Sequence, residues 1–308
     1  MGSAGFGRLK RACAAFWVAS GLWPGWVVAQ QEPHFRVEVS LVRILATVRD
    51  ESGAVVGDLN REDFQVYDSG ILQEIALFER SSELPVSVVL LIDVSASVAV
   101  KLREGQAVVR EFLEVLLEGG HPRDAVALYT FCHDVVAETG FTRDYRRLAR
   151  LASRLRTGAG TSLYDAVWFA SRALEDRPGR HLILLVTDGA DTTSVRTFQE
   201  ALQAAHKADA VVYGILLVPV SSEAGRHLAG EHALISLATS TGGRVFKAFD
   251  LPGLRVALGG VLEEMRAQYL LGYYPRGVPE QPGGFHPIRV EVRRSGLQVL
   301  ARSGYYRR

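Results

Sequence analysis

Three continuous runs of apolar residues place the strongest constraint on what this chain can fold into. They cover residues 86–92, 181–187 and 210–218. A strand that is apolar at nearly every position is typical of a parallel sheet buried on both faces, because a strand with one solvated face alternates between apolar and polar residues.

Stretches with helical periodicity separate these runs, and further strands are predicted beside them. The additional strands are predicted at 125–131, 135–141 (antiparallel) and 244–249, and the helices at 98–118, 145–154, 162–174, 195–207, 227–241 and 254–269. Alternating strands and helices of this length require crossover connections. The pattern therefore predicts an α/β fold with an open, mostly parallel six-stranded sheet and helices on both faces.

The segments on either side of this region, residues 34–82 and 271–308, have the period-two alternation of antiparallel strands. The predicted strands are 35–41, 44–49, 64–67 and 75–78 (the last two around a turn at 68–70), then 269–274, 288–292 and 297–300. Neither segment alone has enough strands for a two-sided core. We therefore predict that they pair into one small β-sandwich, with an α/β domain at residues 85–270 inserted between them. Two independent β appendages are the alternative.

The first 29 residues differ from the rest of the chain. A basic stretch with Arg8, Lys10 and Arg11 precedes an uncharged, mostly apolar run at 12–28 that ends in small side chains. This order predicts a secretory signal peptide at residues 1–29, with an uncleaved N-terminal anchor as the alternative. No other run approaches the ~20 apolar residues of a membrane-spanning helix. The mature chain is therefore expected without a transmembrane span, as a secreted, periplasmic or cell-surface protein.

Charge and cysteine content exclude some partners and linkages. The 35 basic side chains nearly balance the 34 acidic ones, and the net charge of +1 gives no electrostatic reason to expect nucleic acid or an anionic membrane as partner. Cys132 is the only cysteine outside the predicted signal peptide, so no internal disulfide is expected. Because Cys132 ends an apolar strand, we expect a buried, inert thiol, with a reactive one as the alternative.

Polar residues with oxygen donors follow the apolar strands at the edge where their carboxyl ends meet. Asp93, Ser95 and Ser97 come directly after strand 86–92, Asp188 follows strand 181–187, and Thr161 lies in a glycine-containing loop before a helix. Open α/β sheets bind their ligands at this edge. Carboxylate and hydroxyl oxygens without Cys or His suit Mg²⁺, Mn²⁺ or Ca²⁺ and not zinc, and Mg²⁺ is the expected ion.

Each of these residues also has a simpler interpretation. Asp93 and Ser95 would cap a helix, and Asp188 before a glycine would form a turn. Their joint presence at equivalent strand ends favours the metal site. Asp165 and Asp191 are weaker candidates that would orient the metal loops from outside the ligand set. A solvated helix residue and a turn cap, respectively, are the alternatives for these two.

The pattern Asp-x-Ser-x-Ser after an apolar strand, followed by a Gly-Thr loop and a later Thr-Asp-Gly, resembles the metal-ion-dependent adhesion site of von Willebrand factor A domains. The resemblance covers residues 85–270 and implies the Rossmann-like fold of that family, with a protein partner whose Asp or Glu carboxylate completes the coordination of the ion. The ligands that it implies, directly or through water, are Asp93, Ser95, Ser97, Thr161 and Asp188. Residues 269–273 and 302–305 resemble flanking segments of a bacterial branch of the family.

Two classes of function are compatible with such a site. The first is a metal-dependent binding module, for adhesion or for assembly of an envelope complex. The second is a Mg²⁺-dependent hydrolase or phosphotransferase that uses Asp93 as nucleophile or a metal-activated water. The sequence shows no Gly-x-x-x-x-Gly-Lys-Ser/Thr phosphate loop and no convincing general base, and Lys101, Lys207 and Lys247 are predicted away from the site. We therefore expect a binding module and not an enzyme, with specificity set by loops at 191–196 and 218–226.

Overall fold

The computed structural model describes residues 41–80, 84–218, 228–279, 281 and 284–307, and for Ser97 and residues 99–103 it describes the backbone alone. The predicted signal peptide, the predicted strand at 35–41 apart from its last residue, and the loop at 219–226 lie outside the described residues. Among the described residues, no helix has both the length and the apolar character needed to cross a membrane.

The described chain alternates between strands and helices in its middle and consists mainly of strands towards both ends. The strands are β1 (Val42–Arg49), β2 (Phe64–Asp68), β3 (Ile71–Gln73), β4 (Ile75–Arg80), β5 (Val86–Asp93), β6 (Ala125–Phe131), β7 (Val135–Thr142), β8 (Arg180–Thr187), β9 (Ala210–Leu217), β10 (Val245–Ala248), β11 (Tyr269–Tyr273), β12 (Phe285–Val292), β13 (Gln298–Ala301) and β14 (Gly304–Tyr306). The helices are α1 (Ala96–Glu118), α2 (Tyr145–Ala152), α3 (Leu163–Leu174), α4 (Phe198–Lys207), α5 (Leu228–Ser240) and α6 (Leu251–Ala267).

A six-stranded sheet forms the middle of the fold, with strand order β10-β9-β8-β5-β6-β7. Neighbouring strands are parallel except for β7, which runs antiparallel to β6. Every residue of β5, β8 and β9 is buried, as expected for apolar strands in a sheet that is covered on both sides. The prediction of an α/β fold with six mostly parallel strands is confirmed.

Helices cover both faces of this sheet and close two separate apolar cores. One core joins α1, α2 and α6 to the sheet and contains Phe112, Leu148 and Leu258. The other core joins α3, α4 and α5 to the opposite face and contains Val167 and Leu234. Burial on both faces fixes the register of the strands, and the register decides which residues meet where the strands end.

Two four-stranded antiparallel sheets form a second layered unit, with strand orders β13-β1-β11-β4 and β14-β12-β2-β3. Strands from both sides of the α/β region alternate within them, since β1 pairs with β11 and β13 and β2 pairs with β12. The two sheets share one core, to which Ile44, Val66, Leu271 and Ile288 contribute. This unit is the small β-sandwich of N- and C-terminal segments in the predicted fold.

A buried carboxylate connects the strands of this sandwich. Asp68 is fully buried and accepts hydrogen bonds from the hydroxyl groups of Tyr273 (2.8 Å) and Tyr305 (2.9 Å). Burial and the charge of Asp68 raise the pKa of both tyrosines, so both hydroxyls remain protonated donors. Both flanking segments that resemble the bacterial branch, residues 269–273 and 302–305, therefore meet at one side chain of the N-terminal segment.

Strand pairing near residue 70 differs from the prediction. The strands predicted at 64–67 and 75–78 do not pair with each other, because β3 lies between them in the chain and forms a hairpin with β2. Ser69 and Gly70 form the turn of this hairpin, and both have positive φ. β4 then pairs with β11 in the other sheet. A strand of three residues, such as β3 or β14, is too short for its periodicity to be recognised in a sequence.

Capping residues move the starts of two helices away from their predicted positions. The helix predicted from residue 195 begins at Phe198, because Thr197 and Glu200 form a reciprocal capping box. The last helix begins at Leu251, directly after its cap Asp250, and ends at Ala267, before the chain enters β11.

Buried and half-buried ion pairs join the sandwich to the α/β part of the chain. Glu264 of α6 is fully buried and contacts the guanidinium groups of Arg49 in β1 and of Arg244 (2.6 Å). Arg302, which follows β13, forms an ion pair of 2.5 Å with Asp209, the residue that precedes β9. Removing one partner of such a buried pair is costly, because it leaves the other charge buried without compensation. These contacts therefore favour one arrangement of the two parts.

Candidate metal centre

Asp93, the last residue of β5, lies at the centre of the candidate site. Its side chain is fully buried, with Oδ1 accepting the backbone N–H of Ser95 at 2.8 Å and Oδ2 accepting the hydroxyl of Thr187 at 2.7 Å. Burial raises the pKa of Asp93, hydrogen bonds from Thr187 and Ser95 oppose this shift, and the nearby charge of Asp188 adds to it. The carboxylate is therefore fixed in orientation and lies near a second negative charge.

Asp188 reaches the same edge from the neighbouring strand. β5 and β8 are parallel and paired in a register that places the end of β5 beside Thr187, and Asp188 is the next residue. Asp188 is half-buried, and its Oδ1 accepts the N–H of Ala190 at 3.4 Å. The structure thus brings the two predicted carboxylates together at the carboxyl edge of the sheet.

The glycine-containing loop before α3 contacts the end of β5. Gly158 donates its N–H to the carbonyl of Val94 at 2.9 Å and forms a β-bridge with Ser95. Ser95 is buried, and its hydroxyl hydrogen-bonds to the carboxylate of Asp93. This pairing seats the start of the loop directly beside the first predicted ligands.

Thr161 is buried and is tied through its backbone to the loop that follows Asp188. Its N–H donates to the hydroxyl of Thr192 at 2.9 Å, and its carbonyl accepts the N–H groups of Thr192 (2.8 Å) and Thr193 (3.2 Å). The loops of Thr161 and Asp188 are therefore joined to each other. Ser97 lies in the first turn of α1, and its side chain is outside the described part of the structure.

Asp191 and Asp165, the weaker candidates, both accept hydrogen bonds from backbone N–H groups of neighbouring loops and helices. Asp191 Oδ1 accepts the N–H of Leu163 at 2.8 Å, and so caps α3 from the loop after Asp188. Asp165 accepts the N–H groups of Val195 (2.9 Å) and Arg196 (2.8 Å). Both side chains thus orient the loops around the site; their part in metal binding stays a prediction.

Two hydroxyl groups that sequence reasoning does not single out also hold the site together. Thr187 donates to Asp93, and Thr192 accepts from the backbone of Thr161. The signal for Thr187 is a polar residue at the end of an otherwise apolar buried strand. Thr192 has no comparable signal, because its role depends on how two distant loops meet.

Cys132 lies beneath the loop of Gly158 and is half-buried, not fully buried as expected. It follows the end of β6, where the sheet no longer covers it completely. A Cβ added to Gly158 would lie 2.4 Å from its Sγ. Only glycine therefore fits here without movement of the sulfur.

The chemistry of the donor set fits a hard divalent cation. It combines two carboxylates, Asp93 and Asp188, with the neutral hydroxyl-bearing residues Ser95 and Thr161, and two like charges brought together at a buried edge are an arrangement that a cation would stabilise. Within the described part of the chain, no group of three or more His, Cys, Asp or Glu side chains could hold a metal ion. The candidate set therefore depends on hydroxyl oxygens, which suit Mg²⁺ and not zinc.

A phosphoryl-transfer mechanism would need a lysine at the site, and Lys247, one of the lysines considered above, forms an ion pair elsewhere. Lys247 of β10 forms an ion pair with Glu231 of α5 at 2.6 Å. β10 is the edge strand of the sheet, and β8 and β9 separate it from β5. This lysine is therefore engaged three strands away from Asp93.

Comparison with known proteins gives one family match. The family model of the von Willebrand factor type A domain matches residues 88–190. No curated protein matches the chain.

Several solved structures are similar to the chain at low sequence identity. An aerotolerance-related membrane protein from Bacteroides fragilis is 18% identical, with 58% of this chain and 98% of that chain covered and a TM-score of 0.45. The vWF domain of the type V pili tip protein Mfa5 from Porphyromonas gingivalis is 15% identical, with 58% and 94% covered and a TM-score of 0.48. The PilB minor pilin from Streptococcus sanguinis is 12% identical, with 60% and 62% covered and a TM-score of 0.46.

The family match and the architecture of the sheet agree with each other. The matched residues run from β5 to the loop after β8 and include Asp93, Ser95, Ser97, Thr161 and Asp188. Over residues 88–190, the α/β part of the chain is therefore similar to a von Willebrand factor type A domain in both sequence and sheet architecture.

Proposed function

We propose that this chain is an exported, metal-dependent binding module for adhesion or complex assembly. In this proposal one divalent cation is held by Asp93, Ser95, Ser97, Thr161 and Asp188 and binds a carboxylate of a protein partner. The observation that carries the proposal is the convergence of two carboxylates and two hydroxyl-bearing loops at the carboxyl edge of the sheet. The predicted signal peptide supports a secreted, periplasmic or cell-surface location.

The residues around the ion would have distinct roles. Asp93 is oriented by Thr187 and the backbone of Ser95, so that its position is set before any ion binds. Asp188 is only half-buried, so a partner would reach it more easily than the fully buried Asp93. When bound, Mg²⁺, or Mn²⁺ or Ca²⁺ in its place, would supply Lewis acidity and a coordination position for an oxygen ligand.

A ligand set with only two anionic groups favours binding of an external carboxylate to the ion. With only two carboxylates and otherwise neutral hydroxyls in the proposed set, the ion remains electrophilic and attracts a third, external carboxylate. Such a bond is directional, and at a partly desolvated edge it would contribute strongly to a small interface.

Calorimetric titration with Mg²⁺ and Mn²⁺ tests the ion site. Asp93→Ala and Asp188→Ala should abolish binding with little change in the circular dichroism spectrum, because the core of the sheet consists of apolar side chains that these changes do not touch. Asp176→Ala, which removes an exposed carboxylate after α3, is the matched control and should bind the ion normally. Undiminished binding by the first two variants would refute the assignment of the ligands.

Partner binding is tested with envelope extracts. The immobilised protein should capture a partner in Mg²⁺ but not in EDTA, and Asp188→Ala should capture none in either condition. Equal capture in Mg²⁺ and EDTA would contradict a metal-bridged interface.

The enzyme alternative is tested with the same variants. Hydrolysis of phosphomonoester or peptide substrates that requires Mg²⁺ and disappears in Asp93→Ala would replace the binding function with catalysis at this site. We expect no such activity.

A further inference from the structure

Arginine is concentrated in one short segment of this otherwise balanced chain. Residues 143–156 contain six arginines and a single carboxylate, while the whole chain has a net charge of +1. That carboxylate, Asp144, caps α2 by accepting the N–H of Arg147 at 2.8 Å. Arg143 donates to the carbonyls of Leu117 and His121 at the end of α1 and is thus part of the fold. The remaining arginines are exposed.

Two of the exposed arginines of α2, Arg146 and Arg150, face a groove between α2 and α1. The groove has a volume of about 420 Å³ and is lined by Gln106 and Arg110 of α1, by Arg146 and Arg150 of α2, and by Ser153. We call it the arginine groove. Tyr145 and Leu148 of α2 are buried beneath it, and the side chain of Gln106 donates to the carbonyl of Ser153 at 3.4 Å. Its walls are therefore two packed helices and not a loop.

The guanidinium groups of the arginine groove are not engaged by carboxylates. Among the described residues, Arg110, Arg146 and Arg150 form no ion pair with a carboxylate. Among the acidic residues of α1, Glu111 pairs with Arg255 at 2.9 Å, and Glu114 accepts a hydrogen bond from Tyr145. Glu114 and Glu118 act on Arg146 through their charge without forming an ion pair with it. Three like charges facing one groove repel one another, so an anionic ligand would be attracted to it.

The shape and composition of the groove favour a polypeptide over a membrane or a nucleic acid. α2 has no exposed large apolar side chain that could insert into a lipid interface, and the groove contains no aromatic ring on which a base could stack. An open groove between two packed helices has room for one narrow chain along its length. Guanidinium groups bind the carboxylates of Asp and Glu through two parallel hydrogen bonds.

The spacing of the arginines also matches an extended peptide. Arg146 and Arg150 are one helical turn apart, which corresponds to about 6 Å along the helix axis. Alternate residues of an extended chain are about 6.6–6.8 Å apart and point to the same side. Acidic side chains at positions i and i+2 of a peptide would therefore face the two guanidinium groups together.

We propose that the arginine groove binds an acidic segment of a partner protein, in extended conformation, with Asp or Glu at alternate positions. This binding is electrostatic and does not involve the cation at Asp93 and Asp188. It therefore does not depend on the metal-bridged function proposed above.

The experiment measures fluorescence anisotropy of a labelled peptide with alternating Glu and Ser, mixed with the full mature chain in EDTA, so that metal-bridged binding cannot contribute. Arg146→Glu with Arg150→Glu should weaken binding by about tenfold or more, and binding of the unaltered chain should weaken as salt rises from about 50 to about 300 mM. Arg146→Gln with Arg150→Gln, which introduces no new charge, should weaken it less.

A matched double variant controls for net charge. Arg61→Glu with Arg276→Glu makes the same change in net charge on the β-sandwich and should bind the peptide nearly as the unaltered chain does. Equal affinities of the two reversed variants would overturn the proposal, as would a failure of the peptide to bind at low salt. Binding of phosphatidylglycerol vesicles that needs Arg146 and Arg150, without peptide binding, would also overturn it in favour of a membrane contact. Asp93→Ala should bind the peptide normally, whatever its effect on the ion.

Discussion

Replacing Gly158 with alanine tests how closely the loop of Thr161 is seated on the sheet. An alanine Cβ would lie 2.4 Å from Sγ and 2.9 Å from Cβ of Cys132. Both separations are far below the ~3.5–4.0 Å at which non-bonded carbon atoms attract one another. The backbone of Gly158 does not have positive φ, so the added methyl group causes a packing conflict and no conflict with the backbone conformation.

The magnitude follows from this conflict. We expect Gly158→Ala to lower the free energy of unfolding by about 1–3 kcal/mol, which is the usual cost of an extra methyl group in a filled space. Cys132→Ala removes the sulfur and should cost about 1 kcal/mol by itself, because the thiol is only half-buried. In the double variant the new methyl group occupies the space of the sulfur. The two changes should therefore couple favourably, by about 1–2 kcal/mol.

Urea unfolding followed by circular dichroism gives these energies for the two single variants and the double variant. Gly158 also donates a hydrogen bond to Val94 and forms a β-bridge with Ser95, so the single variant Gly158→Ala should weaken Mg²⁺ binding in calorimetry, and adding Cys132→Ala should restore part of it. Additive energies, with a coupling below about 0.5 kcal/mol, would refute the reasoning that the loop rests on the sulfur.

Three further predictions concern the sandwich, a buried histidine and a helix cap. Asp68→Ala leaves the hydroxyls of Tyr273 and Tyr305 without their acceptor and should lower the free energy of unfolding by about 3 kcal/mol or more; a loss below about 1 kcal/mol in urea unfolding would contradict this. Burial lowers the pKa of His206 to about 4, so the unfolded chain takes up a proton near pH 6.5 while the folded chain does not. Stability should therefore fall by up to about 3 kcal/mol between pH 6.5 and pH 4, and His206→Gln should flatten this dependence in unfolding curves; an unchanged slope would exclude the histidine as its source. Asp191→Ala removes the cap of α3 and should cost about 1 kcal/mol, with faster hydrogen exchange confined to the first turn of that helix.

The parallel sheet could be predicted because its signal is local. Each of β5, β8 and β9 is apolar at most of its positions, with no period-two alternation, and this property needs no knowledge of the strand's neighbours. The positions of Asp93 and Asp188 follow from the same strands, since parallel strands end at a common edge. The strand pairing in the sandwich was harder to predict. β3 occupies the place beside β2, so β4 pairs with β11 instead, and the three residues of β3 are too few to show a periodic pattern.

What the sequence did not reveal depends on contacts between distant residues. The role of Thr187 depends on β8 lying beside β5, and that of Thr192 depends on two loops meeting. The arginine groove was hidden by the balanced net charge, because a total over the chain says nothing about where the charges lie. The helix pattern of residues 145–154 places Arg146 and Arg150 on one face, but only the structure shows α1 contributing Arg110 to the same groove.

The pairing of β4 with β11 has a consequence for chain entropy. Arg80 and Tyr269 lie opposite each other, so the whole α/β domain is the connection between two adjacent antiparallel strands. Closing about 190 unfolded residues into such a loop costs about 3 kcal/mol more than closing a short hairpin, because the cost grows with the logarithm of loop length. Once the domain has folded, it holds β4 and β11 as close together as a short hairpin would. The entropic cost of closing the loop then no longer opposes their pairing. Destabilising the α/β domain should therefore also destabilise the sandwich. An ion that binds at the carboxyl edge of the six-stranded sheet and stabilises the domain would stabilise the sandwich as well.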